Sequence, residues 1–276
     1  GKYRSEKEED LIKEAEGLGE IAELIIVAQD ITCYGTDLYG EYKLVELLRK
    51  LSELDNVGSI RLLYCYPDKL SDELIAEIKN NDKIIKYLDI PLQHADDAVL
   101  KRMNRKGTGE EYFRLIEKLR REVPEIAVRS TFIAGFPGET EEEFKNLLSF
   151  IKKAKFTNAG FFAYSREEGT PSYKMTGQLD EKTKEKRVKK LYAAQRKISR
   201  KNNENLVGKT LKILCDGVDY DKQCFFGRAY FSAPDIDGKV YFTSDKDISQ
   251  GEYYDVLIEK CDDYDLYGGV INESAE

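Results

Sequence analysis

Two segments carry side chains suited to holding or activating a small polar ligand. In Tyr87-Leu-Asp-Ile-Pro-Leu-Gln-His94, Asp89 falls inside an apolar run, and Gln93 and His94 fall at its end. The carboxamide of Gln93 can grip a ribose or a carboxylate through paired hydrogen bonds, and His94 can serve as an acid–base group near neutral pH. A lone histidine serves equally well as a structural hydrogen-bonding residue, and both readings stand at this point. In Gly135-Phe-Pro-Gly-Glu-Thr140 the glycines allow close backbone approach and a capped helix start follows, as in a phosphate cradle. The loop lacks the Lys-Ser/Thr ending of a nucleotide P-loop, and a tight strand-to-helix turn accounts for the same residues. Gln29-Asp30 and Arg129 lie beside or within apolar runs, where an unpaired charge is costly, so they need partners from the protein or from a ligand.

Metal chemistry finds little support in the residue types. The five cysteines, Cys33, Cys65, Cys215, Cys224 and Cys261, are dispersed and form no C-x-x-C pair, which signals neither a disulfide framework nor a zinc site. They read as reduced structural thiols. With one histidine in the chain, no multi-histidine centre can be built from its own residues.

The elements that must position these residues follow from periodicity. Five apolar, β-branched runs look like buried strands: Leu24–Ala28, Ile60–Cys65, Tyr87–Ile90, Ala127–Ala134 and Ala159–Tyr164. Between them lie stretches with apolar residues at helical spacing, such as Leu44, Leu47, Leu48 and Leu51, or Phe144, Leu147, Leu148 and Ile151. Alternating strand and helix predicts an α/β fold with a parallel sheet, open or closed into a barrel. Thr108 with Glu111 and Thr140 with Glu143 spell capping boxes and mark two helix starts. The polar or kinked residues after each strand would then gather at the C-terminal face of the sheet, where parallel αβ barrels build their sites. After a long charged helix, roughly Glu181 to Asn203, the pattern changes to short strands: Thr210–Cys215, Phe225–Phe231, Lys239–Thr243 and Tyr253–Lys260. A small antiparallel barrel is expected there, which divides the chain into domains at 1–204 and 205–276. Tyr220, Phe225, Phe226, Tyr230, Phe231 and Tyr241 could serve as base-stacking platforms, but alternating aromatics in such strands more often fill the core.

Charge separates the two parts. Of the formal net charge of -8, all lies in residues 205–276, which hold 15 Asp/Glu against 7 Lys/Arg. Such a field repels phosphate backbones and attracts basic partners, so a basic protein is the expected partner of the tail and nucleic acid is disfavoured. A solubilising acidic surface gives the same composition. With 35% charged and 41% hydrophobic residues the chain is globular rather than disordered. No apolar run approaches the roughly 18 residues of a membrane helix, and the start lacks the apolar core of a secretion signal. No membrane partner, a cytoplasmic location and a monomer are expected.

Six segments together resemble the radical S-adenosylmethionine methylthiotransferases in order and spacing: Ala28-Gln-Asp30, Ile60-Arg-Leu-Leu-Tyr64, Asp89-Ile-Pro-Leu-Gln-His94, Leu100-Lys-Arg-Met-Asn-Arg105, Arg129-Ser-Thr-Phe-Ile-Ala-Gly-Phe-Pro-Gly-Glu-Thr140 and Tyr164-Ser-Arg-Glu-Glu-Gly-Thr-Pro171. The likeness is strongest to the branch that puts a methylthio group on the β-carbon of an aspartate in a small-subunit ribosomal protein, and next to the tRNA-modifying branch. The tail is similar to a TRAM domain, an OB-like substrate-binding barrel. The resemblance implies a TIM-like radical SAM barrel, S-adenosylmethionine and two four-iron four-sulfur clusters as cofactors, and a basic small-subunit ribosomal protein as partner, with tRNA disfavoured. It implies that Gln29, Asp30, Gln93, Arg129, Gly135, Tyr164 and Ser165 line the cofactor face, with Gln93 toward the ribose and Arg129 toward the carboxylate. In this family a C-x-x-x-C-x-x-C loop holds the radical-generating cluster, just upstream of the segment matching Gly1-Lys-Tyr-Arg-Ser5. The chain is therefore expected to lack that loop, the preceding barrel strand and the domain of the second cluster, to bind no cluster and to be inactive alone. Two other classes compete: a substrate-binding protein with an inert αβ scaffold, and an αβ-barrel lyase or aldolase. The last needs a base or a Schiff-base lysine at a strand end, and no lysine stands at these loop starts.

Overall fold

The structure, a computed structural model, describes residues 2–271. It divides into two compact units, Gly1–Gln195 and Arg196–Glu276, with the division inside a long helix; the sequence reading puts the boundary near that helix's end.

In the first unit the chain runs α1 (Glu8–Gly17), β1 (Leu24–Ile26), α2 (Leu44–Glu53), β2 (Ile60–Leu62), α3 (Asp72–Asn80), β3 (Ile84–Asp89), α4 (Asp97–Arg102), α5 (Gly109–Glu122), β4 (Ala127–Ala134), α6 (Glu141–Ala154) and β5 (Asn158–Ala163), and it enters α7 (Glu181–Glu204). The strands form one parallel sheet in sequential order, β1-β2-β3-β4-β5. Each helical crossover thus returns the chain to the next position, the winding of a (βα) barrel. The anticipated strands and both capping boxes are present: Thr108 and Thr140 accept from the amides of Glu111 and Glu143, whose carboxylates accept in return.

Alternation along β4 separates two faces. Val128, Ser130, Phe132 and Ala134 are buried, and Phe132 packs on Phe150 of α6, on Phe156 and on Phe161 at ring separations of 5.4–6.3 Å. The apolar stripes of α2, α3, α5 and α6 bury Leu48, Ile78, Leu119 and Ile151. The opposite face of the sheet carries charged pairs. There Arg61 of β2 makes a two-pronged ion pair with Glu23, both contacts 3.0 Å, and its guanidinium lies 4.7 Å from the ring centre of Tyr87. Arg129 of β4 holds Asp89 of β3 at 3.0 Å. Burying single charges would be prohibitive, so the face carries them as pairs.

The second unit completes α7 and adds β6 (Thr210–Asp219), β7 (Cys224–Arg228), β8 (Val240–Thr243), β9 (Tyr253–Cys261) and β10 (Leu266–Val270), closed into a barrel in the order β10-β8-β7-β6-β9. Four pairings are antiparallel, as expected, and β8–β10 is parallel. A closed ring of five strands cannot alternate direction all the way round, so one parallel pair is a topological necessity. The fifth strand, absent from the sequence reading, contains Gly268 and Gly269, which weaken a strand's local signal. At Gly268 a Cβ would meet the Leu257 carbonyl oxygen at 2.0 Å, so glycine is what lets β10 close on β9. Ile213, Val240, Phe242, Val256, Ile258 and Leu266 fill the barrel, with Phe225 and Phe231 against them. Tyr220, Phe226, Tyr230 and Tyr241 depart from the core expectation. Tyr220 is 85% exposed, Tyr230 is also exposed, and Phe226 and Tyr241 stand in register with Tyr267 as a row on the barrel's outside.

Candidate active site

At the C-terminal edge of the sheet a cleft of about 370 Å³ opens over β1, β2 and β3. Val27, Ala28 and Gln29 wall it after β1, Tyr64 and Tyr66 after β2, Pro91 and Gln93 after β3, and Arg105 reaches it from the α4–α5 connection. Two of these residues, Tyr64 (φ 59°) and Gln93 (φ 70°), occupy the left-handed region, which costs a residue with a Cβ about 1–2 kcal/mol. Such strain persists only where the surroundings impose it.

The restraint on Gln93 is traceable. Pro91 has no amide to donate, so the β3–β4 ladder is interrupted after Ile90, whose N–H donates to the Arg129 carbonyl at 2.9 Å. Ser130 bridges the gap: its hydroxyl donates to the Ile90 carbonyl at 2.8 Å and accepts from the Leu92 amide at 3.3 Å. Pairing resumes at Gln93, whose N–H donates to Thr131 at 2.9 Å and whose carbonyl accepts from Ile133 at 2.8 Å. The backbone is clamped on both sides, while the Gln93 carboxamide, like that of Gln29, makes no hydrogen bond to any described residue. Both amides are available to a ligand.

Asp30 turns away from the cleft. It caps the 3-10 turn Ile31–Cys33, accepting from the Thr32 amide and hydroxyl and from the Cys33 thiol at 3.1 Å, and it faces the Lys69 ammonium at 3.3 Å. Burial opposes its charge, but the Thr32 and Cys33 hydrogen bonds and Lys69 outweigh it and hold the carboxyl below its usual range. Tyr3 donates to the same carboxylate at 3.4 Å, and its phenol is pushed up to about 12, first by its contact with Cys33 and then by burial.

His94 is fully buried. Its Nδ1 accepts from the Asp96 amide at 3.0 Å, which leaves the proton of the neutral ring on Nε2, 3.4 Å from Glu139 Oε2. Glu139 in turn accepts from the Gly135 amide at 2.8 Å and from Arg187 of α7 at 2.5 Å. Of the two readings of His94 the structure favours the structural one. The Gly135–Thr140 loop likewise has its amides taken by the protein: that of Gly135 by Glu139, that of Gly138 by the Gly177 carbonyl at 2.8 Å, and that of Thr140 at the helix start by Glu143. At Gly135 (φ 81°) a Cβ would also meet Lys184 Cγ at 2.5 Å.

Of the seven expected site residues, Gln29 and Gln93 therefore share the cleft. Asp30 lies beside it, and Arg129 is held by Asp89 and, at 3.3 Å, by Thr131. Gly135, Tyr164 and Ser165 stand at the ends of β4 and β5, further along the same edge. Tyr164 is buried against Phe136, and exposed Ser165 donates to Glu167 at 2.6 Å. Sequence reasoning did not single out Tyr64, Tyr66 or Arg105 as site residues. The available signal for Arg105 was the Asn104 before it, a residue type that ends helices in the left-handed conformation.

Among the described residues no three cysteine, histidine or acidic side chains converge on a metal-sized site. Cys33, Cys65 and Cys215 are buried apart, and burial pushes the Cys65 thiol well up, away from the thiolate that iron requires. These donors do not fit an iron–sulfur cluster.

Comparison with known proteins places the geometry. The family model of the radical SAM superfamily matches residues 1–151, and that of the TRAM domain matches residues 207–271. The ribosomal protein uS12 methylthiotransferase RimO of Acetivibrio thermocellus is 49% identical over 100% of this chain and 61% of its own length. That of Carboxydothermus hydrogenoformans is 48% identical over 99% of this chain and 63% of its own. The chain thus spans about three fifths of these relatives. Coproporphyrinogen III oxidase (HemN) from Escherichia coli, a radical SAM enzyme, superposes with a TM-score of 0.55 at 16% identity, covering 69% of this chain and 44% of that one, a likeness of fold.

Proposed function

Since the chain belongs to the radical SAM superfamily, we propose that it is the cofactor- and substrate-binding part of a methylthiotransferase that places a methylthio group on the β-carbon of an aspartate in a small-subunit ribosomal protein. The observation that carries this reading is the 49% identity to a uS12 methylthiotransferase along the whole of the chain. Radical SAM enzymes use S-adenosylmethionine with a four-iron four-sulfur cluster, which together supply the one-electron chemistry that activates an unreactive carbon.

The cleft fits the nucleoside cofactor. Gln93 and Gln29 offer unengaged carboxamides for ribose hydroxyls, and Tyr64 and Tyr66 offer aromatic walls. The chain's own contribution is to bind and orient: Ser130, Thr131 and Ile133 hold the Gln93 backbone, and Glu139 with Arg187 holds the turn that follows β4. Because the thiols do not fit a cluster, this chain alone is expected to bind rather than to turn over. The second unit would recognise the basic target protein in the cytoplasm. The described residues contain no helix long and apolar enough to cross a membrane.

A nucleic-acid partner draws support from one feature, the outward row Phe226-Tyr241-Tyr267, with Lys239, Lys222 and Lys260 lying 4.1–5.1 Å from the three ring centres. The acidic charge of the unit opposes it.

The test joins this chain to the upstream sequence of a full-length relative, reconstitutes iron and sulfide anaerobically, and measures reductive S-adenosylmethionine cleavage and the mass of the ribosomal protein. Cleavage together with a methylthio increment on one aspartate is expected. A cluster-loaded, folded protein that gives neither overturns the reading.

A further inference from the structure

Within the Leu100-Lys-Arg-Met-Asn-Arg105 segment, Leu100, Arg102 and Asn104 have structural uses, whereas the Arg105 side chain has none. Leu100 is core, and Arg102 makes a two-pronged pair with Glu143, both contacts 2.9 Å. Asn104, at φ 54°, ends α4: its N–H donates to Lys101 at 3.1 Å while the next N–H, that of Arg105, reaches back to Leu100 at 2.9 Å. This double reverse hydrogen bond is the Schellman closure of a helix, and it fixes the direction in which the chain leaves α4.

It leaves toward the cleft. The Arg105 guanidinium lies over the Tyr66 ring, 4.9 Å from its centre, and is the one cation of the cleft wall. No carboxylate of the described residues pairs with it, and the wall contains no acidic side chain. The neighbouring cations are engaged: Lys69 with Asp30 and Cys33, Arg129 with Asp89. A planar guanidinium stacked on an aromatic face is held in orientation while its edge still presents paired N–H donors. One such fork flanked by the neutral amides of Gln29 and Gln93 matches a singly charged planar anion, whereas a phosphate dianion calls for more positive charge.

We propose that Arg105 is the carboxylate anchor of the cleft, binding either the methionyl carboxylate of S-adenosylmethionine or the side-chain carboxylate of the aspartate to be modified. The inference rests on the proposed function for the identity of these two ligands, and on Arg105, Tyr66 and Asn104 for the subsite.

The test uses the 276-residue chain with nitrogen-15-labelled arginine and follows the side-chain N–H signals by NMR, a readout that tolerates weak binding and needs no turnover. Two ligand pairs are titrated: S-adenosylmethionine against its decarboxylated analogue, and a basic peptide containing aspartate against the same peptide with asparagine. The wild-type chain is expected to prefer the carboxylate member of one pair by about tenfold or more, and the pair that shows the preference identifies the source. Arg105→Gln should abolish the preference, and Arg105→Lys should keep part of it. A ratio within one variant is insensitive to partial unfolding, which weakens both members alike. A preference that survives in Arg105→Gln, or that is absent from both pairs in the wild type, overturns the proposal. If the decarboxylated and asparagine ligands still bind, the proposed function stands without this subsite; if none of the four ligands binds, both fail.

Discussion

Gln93 shows how a single residue can be placed against its own preference. Its left-handed backbone is imposed by Thr131 and Ile133 on either side and by the break at Pro91, and a glycine would occupy it without strain. Gln93→Gly is therefore expected to hold or raise stability, by up to about 1 kcal/mol, while removing the carboxamide that the proposed function assigns to the cofactor. Thermal unfolding and S-adenosylmethionine titration of the same variant check this. A variant destabilised by more than 1 kcal/mol, or one with unchanged affinity, contradicts it. Buried His94 illustrates the opposite case, a residue type that advertises chemistry and is held inside the fold: its Nδ1 accepts from the Asp96 amide, while its Nε2, 3.4 Å from Glu139, makes no hydrogen bond.

At the scale of elements, helix ends do most of the positioning. The end of α4 depends on Asn104, and Asn104→Ala should cost roughly 1 kcal/mol, because alanine has neither the small side-chain hydrogen-bonding capacity of asparagine nor glycine's freedom at positive φ; Asn104→Gly should be nearly neutral. Urea unfolding of the two variants separates the outcomes, and equal losses for both would show that the left-handed turn is not what matters. The start of α6 is tied to α4 through Glu143. Its hydrogen bonds with Arg102 overcome partial burial and, with help from Thr140, hold its carboxyl down at about 2, against 4.5 unperturbed. A depressed carboxyl stabilises the fold above the unfolded value and loses that contribution as pH falls through the folded one. Arg102→Gln should thus cost about 1–3 kcal/mol at pH 6, and the difference from wild type should shrink between pH 4.5 and pH 2. A difference independent of pH would assign the effect to packing.

At the scale of the molecule, charge and topology set what the second unit can meet. With 15 acids against 7 bases in residues 205–276, the long-range field favours a cationic partner, although the outward aromatic row carries three of the few lysines. Binding of this chain to the basic ribosomal protein should be tighter than to a tRNA anticodon stem-loop. It should also weaken as salt rises, since exposed charges are screened over about 8 Å at physiological ionic strength. Fluorescence titration of both ligands at two salt concentrations measures this, and tighter tRNA binding would move the assignment to the tRNA-modifying branch.

Much of this architecture was legible in the chain itself. Five apolar runs alternating with amphipathic stretches, two capping boxes and an acidic tail of short strands are local signals, readable because each element's hydrogen bonds and apolar face are encoded within some ten to fifteen residues. Tertiary structure alone decided the rest. Tyr66 and Arg105, 39 positions apart, become neighbours only when the segments that follow β2 and α4 meet at the cleft. Arg129 and Gly135, polar and flexible enough to suggest a ligand site, find Asp89 and Glu139 instead. Which polar group is left for a ligand is settled by subtraction, after every buried donor and acceptor has taken its nearest partner in space, and that accounting has no counterpart in the linear order of residues.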